Sequence, residues 1–240
     1  MSKIQAKSSL ALDTLCFVQK RLLNDAKWMD AEQIKEIKRI NDLLPDDFGN
    51  ECLSMSSLCL IISTYFNSDL ESLTLDDLIR VFQSPERIAQ TVRERTSNAF
   101  TANYLFPMLD WLNEGYAKEY VKKLTVLKSV GFESLYCERI MPLVRKETGR
   151  LQKEIEKINA DELFRNVSRL KNASIVDHAD ICVSFFSYPT AFVLYNGSFL
   201  TCFSNGSLDY YQLIAHELMH GFASDEVTQL YKEYVAAMIV

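Results

Sequence analysis

Glycine and proline are both scarce, 7 and 5 residues among 240, about half or less of average usage. Sheet sandwiches and barrels reverse the chain often and draw on both, so an all-β class is disfavoured and a mostly helical chain is expected. The six cysteines, Cys16, Cys52, Cys59, Cys137, Cys182 and Cys202, include no C-x-x-C pair, which removes zinc-ribbon and thioredoxin-like readings. They are also too sparse for a disulfide scaffold. Most lie in apolar runs such as Leu15-Cys16-Phe17 and Leu58-Cys59-Leu60, where a reduced thiol packs as a small hydrophobe.

Basic residues are in deficit, 26 against 32 acidic ones for a net charge of −6. A nucleic-acid partner calls for a basic face, and none is expected here. The longest nearly apolar stretch, Leu53 to Phe66, is broken by serines and a threonine and is too short to span a bilayer. Met1-Ser2-Lys3-Ile4-Gln5-Ala6-Lys7 is followed by no secretory apolar region. These features together predict a soluble, reduced, cytoplasmic protein without a membrane partner. No P-loop, G-x-G-x-x-G or G-x-S-x-G occurs, so nucleotide-binding and serine-hydrolase readings have no support.

What is present divides into two unequal parts, 1–135 and 136–240. The first reads as successive helices. Leu10, Leu12, Leu15, Phe17, Val18, Leu22 and Leu23 recur at helical spacing. Ala31 to Leu44 follows, stopped by Pro45, and then Leu53 to Tyr65. Ser72 to Asp77 reads as a helix start and Pro85 begins another helix, with Pro107, Gly115 and Gly131 punctuating the rest. No period of 20–50 residues repeats, so a helical solenoid is not supported.

In the second part a charged amphipathic helix is expected from Pro142 to Asn172, with Val144, Leu151, Ile155 and Ile158 as its inner stripe. Ile181 to Tyr188, Ala191 to Tyr195 and Ser198 to Phe203 are short, β-branched and aromatic, and read as strands. Asn196-Gly197 between the last two is the strongest short hairpin signal. Asp209 with Gln212 suits a capping box ahead of Leu213-Ile214-Ala215, and Gly221 suits the end of that helix. Ser224 can cap a further helix. The fold class expected is therefore mainly α, of α+β type.

Five consecutive residues carry the chemistry: His216-Glu217-Leu218-Met219-His220. On a helix, positions 216 and 220 stack on one face and can share one tetrahedral ion. Glu217 lies one step round, within reach of a water on that ion without ligating it. This is the H-E-x-x-H pattern, in which the acid serves as general base. The chain has three histidines and places two here. The residues between and around them, Ile214, Ala215, Leu218, Met219, Gly221 and Phe222, are uncharged, which suits a buried metal site where stray charge is costly.

With these residues in view, the last 100 or so positions resemble the minimal zincin fold. A backing helix, a small sheet, the H-E-x-x-H helix and a following helix occur in that order. The resemblance implies a zinc metallopeptidase acting on a peptide or protein. Zinc would be held by His216 and His220 and would acidify a bound water, with Glu217 taking its proton. The metzincin spacing requires Gly at 223 and His at 226, where this chain has Ala223 and Glu226. Gluzincins take a glutamate from the following helix, a description that Glu233 fits, so the gluzincin type is expected with Glu233 as third ligand. Glu226 and a residue beyond Val240 are the alternatives, since the chain stops within the apolar run Ala236 to Val240. His178, between Asp177 and Asp180, is a weaker ligand candidate, and Asp209, Tyr210 and Tyr211 precede the site helix. The alternative function is a zinc-bound regulatory or protein-interaction module that does not hydrolyse. Substrate and oligomeric state are not written in the sequence.

Overall fold

The computed structural model describes residues 3–19, 29–48, 55–67, 69–97, 99–171, 178–187, 191–203, 214 and 217. The chain is mainly helical with a small four-stranded sheet, the class expected.

The strands are β1 (Lys3–Ser8), β2 (His178–Ser184), β3 (Ala191–Val193) and β4 (Phe199–Cys202), in the spatial order β1-β2-β4-β3. β1 runs parallel to β2, with Ile4 opposite Ala179 and Ser8 opposite Val183. β2 runs parallel to β4, with Ile181 opposite Phe199, and β3 pairs antiparallel with β4. A sequence-based reading of helices throughout 1–135 is corrected here. Lys3-Ile4-Gln5-Ala6-Lys7-Ser8 alternates polar and apolar, the period of a strand, and it pairs with a strand more than 170 residues away in sequence.

The second strand is also displaced from its expected position. The sequence predicts a strand over Ile181 to Tyr188, whereas β2 begins at His178 and ends at Ser184. It stops because the backbone N–H of Phe185 donates to the Asp13 carboxylate instead of continuing the ladder. The hairpin stands where Asn196-Gly197 places it. Asn196 adopts a left-handed conformation (φ 57°), which asparagine tolerates better than most residues, and Leu194 N–H donates to the Ser198 carbonyl at 2.7 Å to close the turn.

The first helix, α1 (Leu10–Val18), is buried along its whole length, as expected for a helix apolar all round. Ser9 caps it by accepting from Leu12 N–H, and the Ser9 hydroxyl donates to the Leu70 carbonyl. Around it lie α2 (Ala31–Asn41), opened by an Asp30/Gln33 capping box, α3 (Met55–Phe66), and α4 (Leu75–Phe82), opened by a Thr74/Asp77 box. α5 (Pro85–Arg95) starts at its proline as expected. α6 (Ala99–Trp111) instead continues through Pro107. The wide turn Leu112–Tyr116 follows, where Gly115 at φ 139° supplies a conformation closed to other residues.

Next come α7 (Ala117–Ser129), the short α8 (Phe132–Leu135), and a second wide turn, Tyr136–Ile140. The single helix expected over 142–172 is two, α9 (Met141–Ile155) and α10 (Ala160–Lys171). Asn159 makes the break, since its side-chain oxygen accepts from Glu162 N–H and so caps a new helix start. Val144, Leu151 and Ile155 are buried, with Ile158 packed at the core's margin.

α9 packs on β1 and β2, and Gln152 accepts the Ala6 N–H at 2.9 Å, covering the outer edge of β1. One continuous apolar core runs from Ile4 through Phe17 and Leu124 to Phe199 and Ile214, so residues on both sides of position 135 contribute to it. At its centre the Phe17 ring meets Phe186, Phe132 and Phe48 at centroid distances of 4.9, 5.4 and 6.5 Å. Among the described residues no helix is long and apolar enough to cross a membrane. Cys16, Cys59, Cys182 and Cys202 are buried free thiols and Cys137 is an exposed one.

Candidate functional site

Of the five residues singled out by sequence, Glu217 is described. It is helical and only 5% exposed. Ile214, one turn earlier on the same face, is fully buried and part of the core. His216, His220, Glu226, Glu233, Asp209, Tyr210 and Tyr211 lie outside the described residues, as does Asp177. Acidic side chains are seldom buried to this degree without a partner or a task. The helical conformation at Glu217 follows closely on the β3–β4 hairpin, which ends at Cys202.

A second group of polar side chains sits on the sheet. His178, Asp180 and Cys182 alternate along β2 and so share one face, beside Lys7 of β1, which is in register with Cys182. Lys7 Nζ is 2.9 Å from Asp180 Oδ2 and 3.5 Å from Glu71. His178 Nε2 is 2.8 Å from Asp180 Oδ1, and Asp180 N–H donates to Ser198 Oγ. Burial works against the Lys7 ammonium, but the hydrogen bond and charge of Asp180 outweigh it and hold the amine above its ordinary value. Burial pushes the Cys182 thiol up, with the Asp180 charge adding to it; it is a poor nucleophile. The cavity between these residues measures about 10 Å³, the size of one water site and far too small for a peptide. His178 is thus engaged with an acid that also holds a lysine. Among the described residues no three His, Cys, Asp or Glu side chains gather so as to hold a metal.

Sequence reasoning passed over a third constellation, around Asp13. This carboxylate is fully buried in α1. Oδ1 accepts from Phe185 N–H at 2.8 Å and from the Ser184 hydroxyl, and Oδ2 accepts from the Tyr136 hydroxyl at 2.5 Å. Gln33 of α2 donates to the Phe185 carbonyl, so both backbone polar groups of Phe185 are fixed, from α1 and α2. The Tyr136–Ile140 turn supplies two of the anchors. It sends Tyr136 inward to Asp13, and Arg139 to Glu36 of α2 as a two-pronged pair at 2.8 and 3.0 Å. That hydrogen bonding holds the Glu36 carboxyl below its ordinary range despite opposing burial. One signal was available in the sequence: Asp13 is the lone charged residue of the apolar run Leu10 to Val18.

The described chemistry therefore comprises a buried helical acid that follows a hairpin in sequence, an ion-paired sheet face and a buried carboxylate network. The chain matches no family model, no curated protein and no solved structure.

Proposed function

We propose that this chain is a zinc-dependent peptidase of gluzincin type, acting on a peptide or protein substrate. The observation that carries the reading is Glu217. Glu217, the acid of His216-Glu217-Leu218-Met219-His220, is buried and helical, and follows a small mixed sheet and its hairpin in sequence. A buried carboxylate flanked by two imidazole donors four residues apart is a donor set that suits a zinc ion, with neutral histidine nitrogens as ligands and the acid left free of the metal.

His216, His220 and Glu233 would hold the ion. When bound, zinc supplies a water acidified toward neutrality and a polarised scissile carbonyl. The protein's own part falls to Glu217: its carboxylate takes the proton from the attacking water and delivers it to the leaving amine. Uncharged neighbours at 214, 215, 218 and 219 keep competing charge away from that transfer.

The test is cleavage of an unbiased peptide library. Activity should vanish on chelation and return with added zinc. Replacing Glu233 by Gln should raise the zinc concentration needed by at least about tenfold, the lower end of what losing even an outer-layer partner costs a zinc site. Glu226→Gln should change it by less, because an acid in a helix's first turn contributes only about 0.3–1 kcal/mol. Cleavage that survives complete removal of zinc would overturn the proposal. A larger effect at 226 than at 233 would move the third ligand.

A further inference from the structure

We propose that Asp13 is a proton-operated latch, a buried carboxyl that takes up a proton on acidification and so tightens the junction of α1, the 136–140 turn and the end of β2. The case begins with what surrounds the group. Its partners are the Ser184 and Tyr136 hydroxyls and the backbone N–H groups of Phe185 and Phe186, all of them neutral. Dipoles soften the burial of a full charge but do not cancel it.

Among the described residues, no cation on the elements packed against the group is paired with it. α1 itself contributes Cys16 and α3 contributes Cys59, both buried thiols. The 136–140 turn contributes Tyr136 and Cys137, while its two charged residues are Glu138 and Arg139, the latter paired with Glu36 of α2. On α4, Asp76 pairs with Lys128 and Asp77 with Arg80, all at the surface. The buried lysine of α7, Lys123, lies over the Phe48 ring. On β2, Asp180 is held by Lys7 and His178. Among the described residues, the Asp13 charge is thus opposed by burial and supported by neutral donors.

The network can accept the proton without breaking. A protonated Asp13 donates one O–H to a hydroxyl, and Ser184 can turn its own proton toward the neighbouring Cys16 sulfur. Burial, outweighing the four donors, pushes the carboxyl up to about 6 from an ordinary 3.8. Between these values the folded chain holds a proton that the unfolded chain has shed. The stabilisation is fully present below about pH 4 and is lost as pH rises through about 6, a change of about a hundredfold in the folding equilibrium.

The experiment is urea unfolding of the full chain at intervals from pH 4 to 7.5, for wild type and Asp13→Asn, a neutral isostere that mimics the protonated acid. Relative to Asp13→Asn, the wild-type folding constant should fall by about a hundredfold from about pH 4 to 7.5, the background from other groups being common to both. Parallel pH profiles would overturn the latch. A carbon-detected titration of the Asp13 carboxyl by NMR keeps the test open should Asp13→Asn fail to fold. The wild-type midpoint should lie near 6 and should move higher in Tyr136→Phe, which removes a donor to the ionised form. A wild-type midpoint below 4.5, or one that Tyr136→Phe leaves in place, would contradict the proposal.

Discussion

Replacing Glu217 by Gln is expected to lower peptide cleavage by about 10²–10⁴, the usual loss when a positioned general base is removed, while zinc content stays at the wild-type level. The amide has the same shape and can still hydrogen-bond a water, so binding and packing change little. What it lacks is a site for the proton. Glu217 is 5% exposed, so its own burial energetics enter the comparison. Gln has the same shape as Glu and keeps the packing, so the thermal midpoint should be similar. The measurement is paired: zinc by elemental analysis, the midpoint by circular dichroism and cleavage by mass spectrometry. Loss of zinc in the variant would mean that position 217 is a ligand and that the assignment of roles is wrong. Equal cleavage in both forms would remove it from the chemistry. A wild type that cleaves nothing, with zinc still bound, would favour a regulatory module.

The second large effect concerns the core. Phe17 is fully buried and its ring packs against Phe186 beyond β2, Phe132 of α8 and Phe48. Phe17→Ala should cost about 3–5 kcal/mol, through lost transfer energy and the cavity left behind. For a chain of this size that corresponds to a fall of about 6–20 °C in the thermal midpoint. Because β1 pairs with β2 and the core is continuous from Ile4 to Ile214, helices and sheet should melt together. Far-ultraviolet circular dichroism and aromatic fluorescence should report one shared midpoint in wild type and variant alike. Two separated transitions would show that the helices and the sheet unfold independently.

The helices and the hairpin were legible because their signals are local. Thr74 with Asp77, Pro85, and Asn196-Gly197 each satisfy or deny nearby backbone groups, and each acts where it stands. β1 was missed because a six-residue alternation beside a strongly helical run gives no hint of its partner. What fixes it is pairing with His178–Ser184 and cover from α9, both distant in sequence. The break at 156–159 was missed because Asn159 reads as one polar residue in a charged helix until its side chain is seen capping Glu162.

The candidate site divides in the same way. H-E-x-x-H is legible because its two histidines and its acid fall within five consecutive residues, the spacing that the proposed roles require. The Asp13 network was not, since Tyr136 and Ser184 reach it from 123 and 171 residues away. Asp180 and Lys7 likewise meet only because β1 and β2 are neighbours. The proposed third ligand faces the same difficulty: nothing local distinguishes Glu233 from Glu226 except the expected helix on which each would lie.

The most direct test of the central claim is zinc analysis of the full chain, produced with zinc in the medium, never exposed to chelator and desalted before measurement. The account predicts about one zinc per chain in wild type, and loss of that zinc in both His216→Ala and His220→Ala, because two remaining ligands hold the ion poorly. Wild-type protein that carries no zinc, or zinc that persists undiminished when either histidine is replaced, would contradict it.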